Sequence, residues 1–308
     1  MSQQEVPIDS VQLDPAIAMR AVRGRTIGGA LAIIGLMIGV YLPILYYMVL
    51  HWGAVDDYSH GFLIAPLAFY FAWERRDRLR GIAISGSWWG LIPLGLGVLA
   101  LTIGRLGVEL TAMRTGFILT LIGLILLLLG RKVFEVLTFP LLFLFLMVPL
   151  PQSLVNVIAF PLQLTAASAA VESLHWLGVP ALLEGNIIHL AHSELFVAQA
   201  CSGLRSLMAL LTLGVVFAYF LQRGTAKRVI IVLSTIPIAI FVNAVRVALT
   251  GILAHTYGEE AATGFIHDFQ GLITFFLAFV VLLGEARVLN WINPSFGVLS
   301  PAAGRASS

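Results

Sequence analysis

Residues 26–55 read TIGGALAIIGLMIGVYLPILYYMVLHWGAV, and none of these thirty residues is Asp, Glu, Lys or Arg. A transmembrane helix needs about 20 consecutive apolar residues, so this stretch predicts a membrane span. Arg20, Arg23 and Arg25 stand directly before it. The apolar run is too long for the core of a signal peptide, and no small-residue cleavage site follows it, which favours a retained first span.

The whole chain shows the same scarcity of charge. Only 11% of its 308 residues are charged, against about 25% in an average soluble domain, and the mean hydropathy is +0.96. A soluble protein of this size needs a charged surface that this composition cannot supply. The composition therefore excludes a soluble enzyme and a nucleic-acid-binding protein. Because Cys201 is the single cysteine, a disulfide-stapled secreted domain is excluded as well.

Further apolar runs predict an all-α integral membrane protein with about eight transmembrane helices. The predicted spans are residues 27–50, 61–73, 88–104, 115–130, 133–150, 203–222, 229–253 and 268–286. Only Arg131 and Lys132 separate the fourth span from the fifth, which predicts a tight helical hairpin.

The basic residues predict the orientation of the chain, because Lys and Arg concentrate in cytoplasmic loops. Fourteen of the eighteen fall in alternate loops and in the tails. We therefore expect both termini in the cytoplasm, as a tail over residues 1–26 and another over residues 291–308. The membrane domain between them is predicted to cover residues 27–290.

The longest predicted outer loop covers residues 151–202. Its apolar part, 154–177, predicts an interfacial helix or a partly inserted pair of short helices. Residues 182–199 contain apolar residues on both sides of a Gly–Asn turn, which predicts a small extended element. The same loop holds a group that resembles a metal-binding patch: His189, His192 and Glu194. Because no HExxH pattern accompanies it, we predict neither a metal nor a cofactor.

Cys201 lies at the predicted start of the sixth span, followed by Ser202 and Gly203. Free backbone N–H groups and the helix dipole at such a position favour an anion, so they lower the pKa of a thiol. Arg205, about one turn further, is expected to add positive potential. The alternative is a buried, unreactive cysteine.

Two further residues lie near the predicted outer ends of spans. Arg246 is embedded in the seventh span, and Asn243 three residues earlier shares its helix face. An arginine in a span needs a partner or a wet cavity, or it reaches the headgroups by snorkelling. His267 begins the eighth span, where it can act as a base or hydrogen-bond donor, or be an ordinary interfacial residue. Together with Cys201 these groups supply attack, proton handling and oxyanion stabilisation, the parts needed for acyl transfer.

Four segments of the chain resemble the exosortase family, a group of multi-span bacterial inner-membrane proteins. They are DYSHGFLIAPLAFYFAW (57–73), ACSGLRSL (200–207), PIAIFVNAVRVALTGI (237–252) and FIHDFQG (265–271), and the pair Glu184–Gly185 is also similar. The resemblance covers about residues 30–290.

The resemblance implies a cysteine transpeptidase in the bacterial inner membrane, with Cys201, Arg246 and His267 as the catalytic residues on the periplasmic side. The implied substrates are membrane-anchored proteins whose C-terminal sorting signal contains a PEP-type motif, a hydrophobic span and a basic cluster. An amine acceptor or water would complete the reaction. Tyr58, His60 and Glu184 are candidates to face the substrate, and structural packing is the alternative for Tyr58 and His60. Some members carry a further C-terminal domain linked to exopolysaccharide production, which this chain is expected to lack.

Two other function classes stay open on the sequence. One is a transporter with a polar path through the bundle, and the other is a scaffold in exopolysaccharide export. The transporter needs ionisable residues in mid-membrane on several helices. In this sequence only Arg246 and Glu135 qualify, with Glu135 near a predicted cytoplasmic end.

Overall fold

The computed structural model describes residues 15–191, 194–196, 203–258 and 265–292. These residues form ten α-helices and one small antiparallel sheet, in agreement with the predicted all-α membrane class. In chain order the helices are α1 (Pro15–Ala54), α2 (Gly61–Glu74), α3 (Arg76–Arg80), α4 (Leu91–Leu106), α5 (Leu110–Leu124), α6 (Arg131–Phe143), α7 (Gln152–Trp176), α8 (Gly203–Leu221), α9 (Thr225–Tyr257) and α10 (Phe265–Ile292). A short 3-10 turn, Asp56–Tyr58, follows α1, and a second one, Leu144–Met147, follows α6.

Six helical segments in the described residues are long and apolar enough to cross a membrane. They are 32–54, 88–106, 110–129, 152–176, 225–257 and 269–292. Five of these segments match predicted spans. The other three predicted spans correspond to α2, α6 and α8, which are not among the six segments. The sixth segment is α7, which was predicted as part of an outer loop. The number eight and the orientation of the termini stay predictions.

Elements near the same end of the bundle contact both ends of helix α7. Just before it, the carbonyl of Leu150 accepts a hydrogen bond from the hydroxyl of Tyr58, close to the end of α1. Near its other end, Leu174 lies 3.0 Å from where a Cβ of Gly251 would be, close to the end of α9. The start of α8 lies beside the turn that contains Tyr58. Because α8 and α9 are antiparallel, the end of α9 near Gly251 lies at the same end of the bundle as that turn. The alternative of two short helices is wrong, since α7 is continuous.

The connection between α5 and α6 depends on a glycine. A π-helical turn, Ile125–Leu129, extends α5, and Gly130 alone separates it from Arg131. Gly130 has φ +92°, and a Cβ there would lie 1.8 Å from the carbonyl oxygen of Ser85. Only glycine fits this backbone, because it has no Cβ and tolerates positive φ. The predicted tight turn at this position is confirmed.

The sheet consists of β1 (Ala181–Glu184), β2 (Ile187–Leu190) and β3 (Glu194–Phe196). Glu184 pairs with Ile187, so Gly185 and Asn186 form a two-residue turn in which Gly185 has φ +62°. Such a turn requires residues that tolerate positive φ, which confirms the extended element predicted for this loop. The buried side of the sheet packs with the second half of α7 and the last turns of α9.

Candidate active site at the start of α8

The described part of α8 begins at Gly203, two residues after Cys201. Cys201 and Ser202 lie outside the described residues. The prediction that the thiol lies next to free backbone N–H groups at the start of this helix, where a thiolate is stabilised, stays a prediction. The pKa of the thiol stays a prediction.

The register of α8 against α9 follows from one contact. A Cβ at Gly214 of α8 would lie 2.4 Å from the Cγ2 atom of Thr235 on α9. The two helices are antiparallel and joined by three residues, so equal steps along each keep residues level. Eleven residues from this contact, Gly203 is level with Arg246. The start of α8 therefore lies beside the part of α9 that carries the predicted arginine.

Arg246 faces α10. A Cβ at Gly271 would lie 3.4 Å from Nη2 and 3.6 Å from Cζ of Arg246, so the guanidinium rests on the backbone of α10. His267 precedes Gly271 by four residues, which is one helical turn on the same face. The side chain of His267 lies outside the described residues. Contact between Cys201, Arg246 and His267 stays a prediction.

A line of buried polar groups continues from Arg246 between α9 and α10. The hydroxyl of Thr250 is fully buried and donates to Oε1 of Gln270 at 2.9 Å. Asn243 is 4% exposed, and its Oδ1 atom finds no hydrogen-bond partner among the described residues. Unmet polar atoms are costly to bury and often mark functional sites. Residues 243, 246 and 250 share one helix face, so this spacing could have identified Thr250 from the sequence. Nothing in the sequence pairs Gln270 with Thr250, because the two residues lie on different helices.

Arg205 forms ion pairs with two residues of the turn after α1. Its Nη2 atom lies 2.7 Å from Oδ2 of Asp56, and its Nε atom lies 3.4 Å from Oδ1 of Asp57. The expected positive potential near Cys201 is therefore offset by two carboxylates. The contact instead joins the start of α8 to the turn that follows α1.

Tyr58 and His60 are buried, and their contacts agree with the structural packing that the sequence leaves open for this segment. Nε2 of His60 lies 3.3 Å from the carbonyl oxygen of Leu146, and the hydroxyl of Tyr58 donates to Leu150. Burial lowers the pKa of His60 and raises the pKa of Tyr58, because a charged form loses solvation in both cases. These residues hold the turn after α1 against the segment that follows α6.

Glu184 lies at the tip of the sheet and is largely exposed. Its Oε2 atom is 3.3 Å from Nε2 of His189, and Oε1 of Glu194 is 3.2 Å from Nδ1 of the same ring. His192, the remaining member of the predicted patch, lies outside the described residues. Within the described residues no group of His, Cys, Asp and Glu has the arrangement of a metal site.

Comparison with known families matches residues 52–284 of this chain to the family described as transmembrane exosortase. No curated protein and no solved structure matched the chain. The matched region covers about three quarters of the sequence and includes α8, α9, Arg246, Gly271 and the segment around His267. The chain therefore belongs to the transmembrane exosortase family.

Proposed function

We propose that this protein is a cysteine transpeptidase or protease that cleaves the C-terminal sorting signal of exported proteins at the periplasmic face of the bacterial inner membrane. One observation carries the proposal. The guanidinium of Arg246 lies against Gly271, at the level where α8 begins two residues after Cys201 and one turn from His267.

In the proposed reaction, the Cys201 thiolate attacks the scissile carbonyl carbon, and Arg246 stabilises the oxyanion through its forked N–H donors. His267 gives a proton to the leaving amine as the C–N bond breaks, which leaves a thioester on Cys201. An amine or water then attacks the thioester carbonyl, and the sulfur leaves as the thiolate. A half-buried position beside a helix backbone favours a fixed guanidinium, because its surroundings limit its rotamers.

Replacement of Cys201 tests the proposal. In cells that carry a substrate with a sorting signal, the Cys201→Ala variant is expected to accumulate in the membrane and to leave the substrate uncleaved. Cys201→Ser is expected to lose most of the activity, because a hydroxyl at neutral pH is a far weaker nucleophile. Normal substrate maturation in either strain would refute the nucleophile.

Arg246→Lys tests the forked geometry, with Arg105→Lys at the far end of α4 as a matched control. We expect Arg246→Lys to reduce cleavage and Arg105→Lys to leave it unchanged, since a lysine cannot make two parallel hydrogen bonds. Full activity of Arg246→Lys would indicate a plain charge or a structural role.

A membrane-impermeant thiol reagent separates this function from the transporter and scaffold alternatives. The proposal expects Cys201 to react from the periplasmic side, and to keep reacting at a pH well below the ordinary range for a thiol. A cysteine that never reacts would favour the scaffold with a buried thiol.

A further inference from the structure

A cationic cleft opens at the end of the bundle opposite the start of α8. Its volume is about 640 Å³, and its lining includes Arg75, Arg78 and Lys132. Helix α2 starts beside His60 at the candidate active site and ends at Glu74, so the cleft lies a full helix length from that site. The cleft is therefore separate from the site of the proposed cleavage reaction.

The cations of the cleft have no acidic partner in the part of the chain that the structure describes. No carboxylate lies within 4.0 Å of Arg75, Arg78 or Lys132. The three nearest acidic side chains have other partners: Glu135 pairs with Arg131 at 2.9 Å, Asp77 pairs with Arg80 at 3.1 Å, and Glu74 accepts from the hydroxyl of Tyr219. The cleft thus keeps an excess of positive charge.

Arg75 is held in a fixed position. Its Nη1 atom donates to the carbonyl of Phe71 at 2.7 Å, and its guanidinium carbon lies 5.0 Å from the ring centre of Tyr219 and 5.4 Å from that of Phe139. These contacts leave the other N–H groups of the fork available for a phosphate oxygen. Helix α6 adds to the positive potential, because its N-terminus beside Lys132 has no side-chain cap.

An apolar groove continues from the cleft. Phe139 lines both cavities, and the groove, of about 260 Å³, runs between α6, α8 and α9 past Val215, Val229 and Leu233. Arg228 stands among its lining residues. Val229 and Leu233 are 48% and 59% exposed, so the groove opens on the surface that faces lipid if α9 crosses the membrane.

We propose that the cleft and the groove together bind an anionic phospholipid, with the phosphate held by Arg75, Arg78 and Lys132 and one acyl chain lying along the groove. Basic pockets between membrane helices recognise anionic headgroups in this way. The excess positive charge repels the ammonium of a zwitterionic lipid. A soluble anion has no acyl chain, so it would leave the apolar groove unfilled.

Native mass spectrometry of the purified, delipidated full chain tests the proposal with phosphatidylglycerol, phosphatidylcholine and inorganic phosphate. We expect phosphatidylglycerol to bind in preference to phosphatidylcholine, and inorganic phosphate not to displace it. Equal binding of the two lipids, or displacement by phosphate, would overturn the proposal; displacement would point to a soluble anion.

Arg78→Gln and Lys132→Gln are the test variants, because both side chains are exposed and their loss leaves the core intact. Each is expected to weaken phosphatidylglycerol binding about fivefold, the effect of one basic residue near a membrane surface. Arg76→Gln is the matched control, since Arg76 bonds to the carbonyl of Trp73 and lies outside the cleft. An equal loss in Arg76→Gln would overturn the site in favour of a general charge effect.

Val229→Trp tests the groove without any change of charge. The larger side chain fills the groove, so we expect weaker binding of phosphatidylglycerol and an unchanged melting temperature. Unaltered binding in Val229→Trp would overturn the assignment of the acyl chain.

Discussion

The guanidinium of Arg246 on α9 lies against the backbone of Gly271 on α10, with Nη2 3.4 Å from the place that a Cβ would occupy. A side chain larger than a methyl group at position 271 would therefore occupy the space of the guanidinium. This relationship joins the arginine of one helix to the helix that carries His267, and it makes Gly271 a positioning residue for the proposed reaction.

Gly271→Leu is expected to displace Arg246 and to lower substrate cleavage about 100-fold, the typical effect of a small misplacement of a reacting group. Gly271→Ala should keep most of the activity, because its Cβ only reaches contact distance. Gly284→Leu on the same helix is the control, since nothing lies within 4 Å of a Cβ at that position. Equal activity of the two leucine variants would show that Gly271 does not position Arg246.

Thr250→Val removes the hydroxyl that donates to Gln270 and leaves a buried Oε1 atom without this partner. We expect a loss of about 1–2 kcal/mol in the free energy of unfolding, as is usual for a buried hydrogen bond whose partner remains. The melting temperature in detergent measures it. Thr256→Val is the control, because the exposed hydroxyl of Thr256 bonds only to its own helix backbone. If both variants melt at the same temperature, the interhelical hydrogen bond contributes nothing to stability.

His60 predicts a dependence of stability on pH. Burial lowers its pKa below the ordinary value of 6.5, so the unfolded chain takes up the proton before the folded chain does. The contribution of His60 to the free energy of unfolding is therefore fully present above pH 6.5. It falls as the pH drops from 6.5 toward the lower pKa of the folded state.

Melting temperatures measured from about pH 8 to about pH 5 check this window. His60→Gln is expected to flatten this part of the curve, because glutamine can still donate to Leu146 but does not titrate. His175→Gln is the matched substitution at an exposed histidine. A curve of unchanged shape in His60→Gln would assign the pH dependence to other groups.

The ion pair between Arg205 and Asp56 predicts separate effects on stability and on activity. Both side chains are partly exposed, so Asp56→Asn should change the free energy of unfolding by less than about 1 kcal/mol. We expect a larger fractional loss of cleavage, because the pair holds Arg205, which lies in the first turn of the described part of α8 and four residues after Cys201.

A double-mutant cycle with Arg205→Gln measures this coupling. Non-additive losses of cleavage are expected if the pair acts as a unit. Asp77→Asn is the control, because Asp77 forms a similar exposed pair with Arg80 away from the candidate site. Additive losses would mean that Arg205 and Asp56 act separately.

The sequence by itself determined the features that depend on local composition. The long uncharged run 26–55 indicates a membrane protein, because burial in lipid requires apolar residues over a full helix length. The Gly185–Asn186 turn predicts a small extended element, because it lies between short apolar segments. The single pair Arg131–Lys132 between two apolar runs predicts a tight helical hairpin, whereas the structure shows that Gly130 makes the connection.

Only the tertiary structure decided which residues of different helices contact one another. It placed Arg246 against Gly271, gave Arg205 two carboxylates as partners, buried Tyr58 and His60, and placed both ends of α7 in contact with elements near the same end of the bundle. It also brought Arg75 and Lys132 to one cleft. Each of these relationships depends on the register between helices that are far apart in the chain, and that register is set by side-chain packing, as between Gly214 and Thr235, rather than by any local pattern.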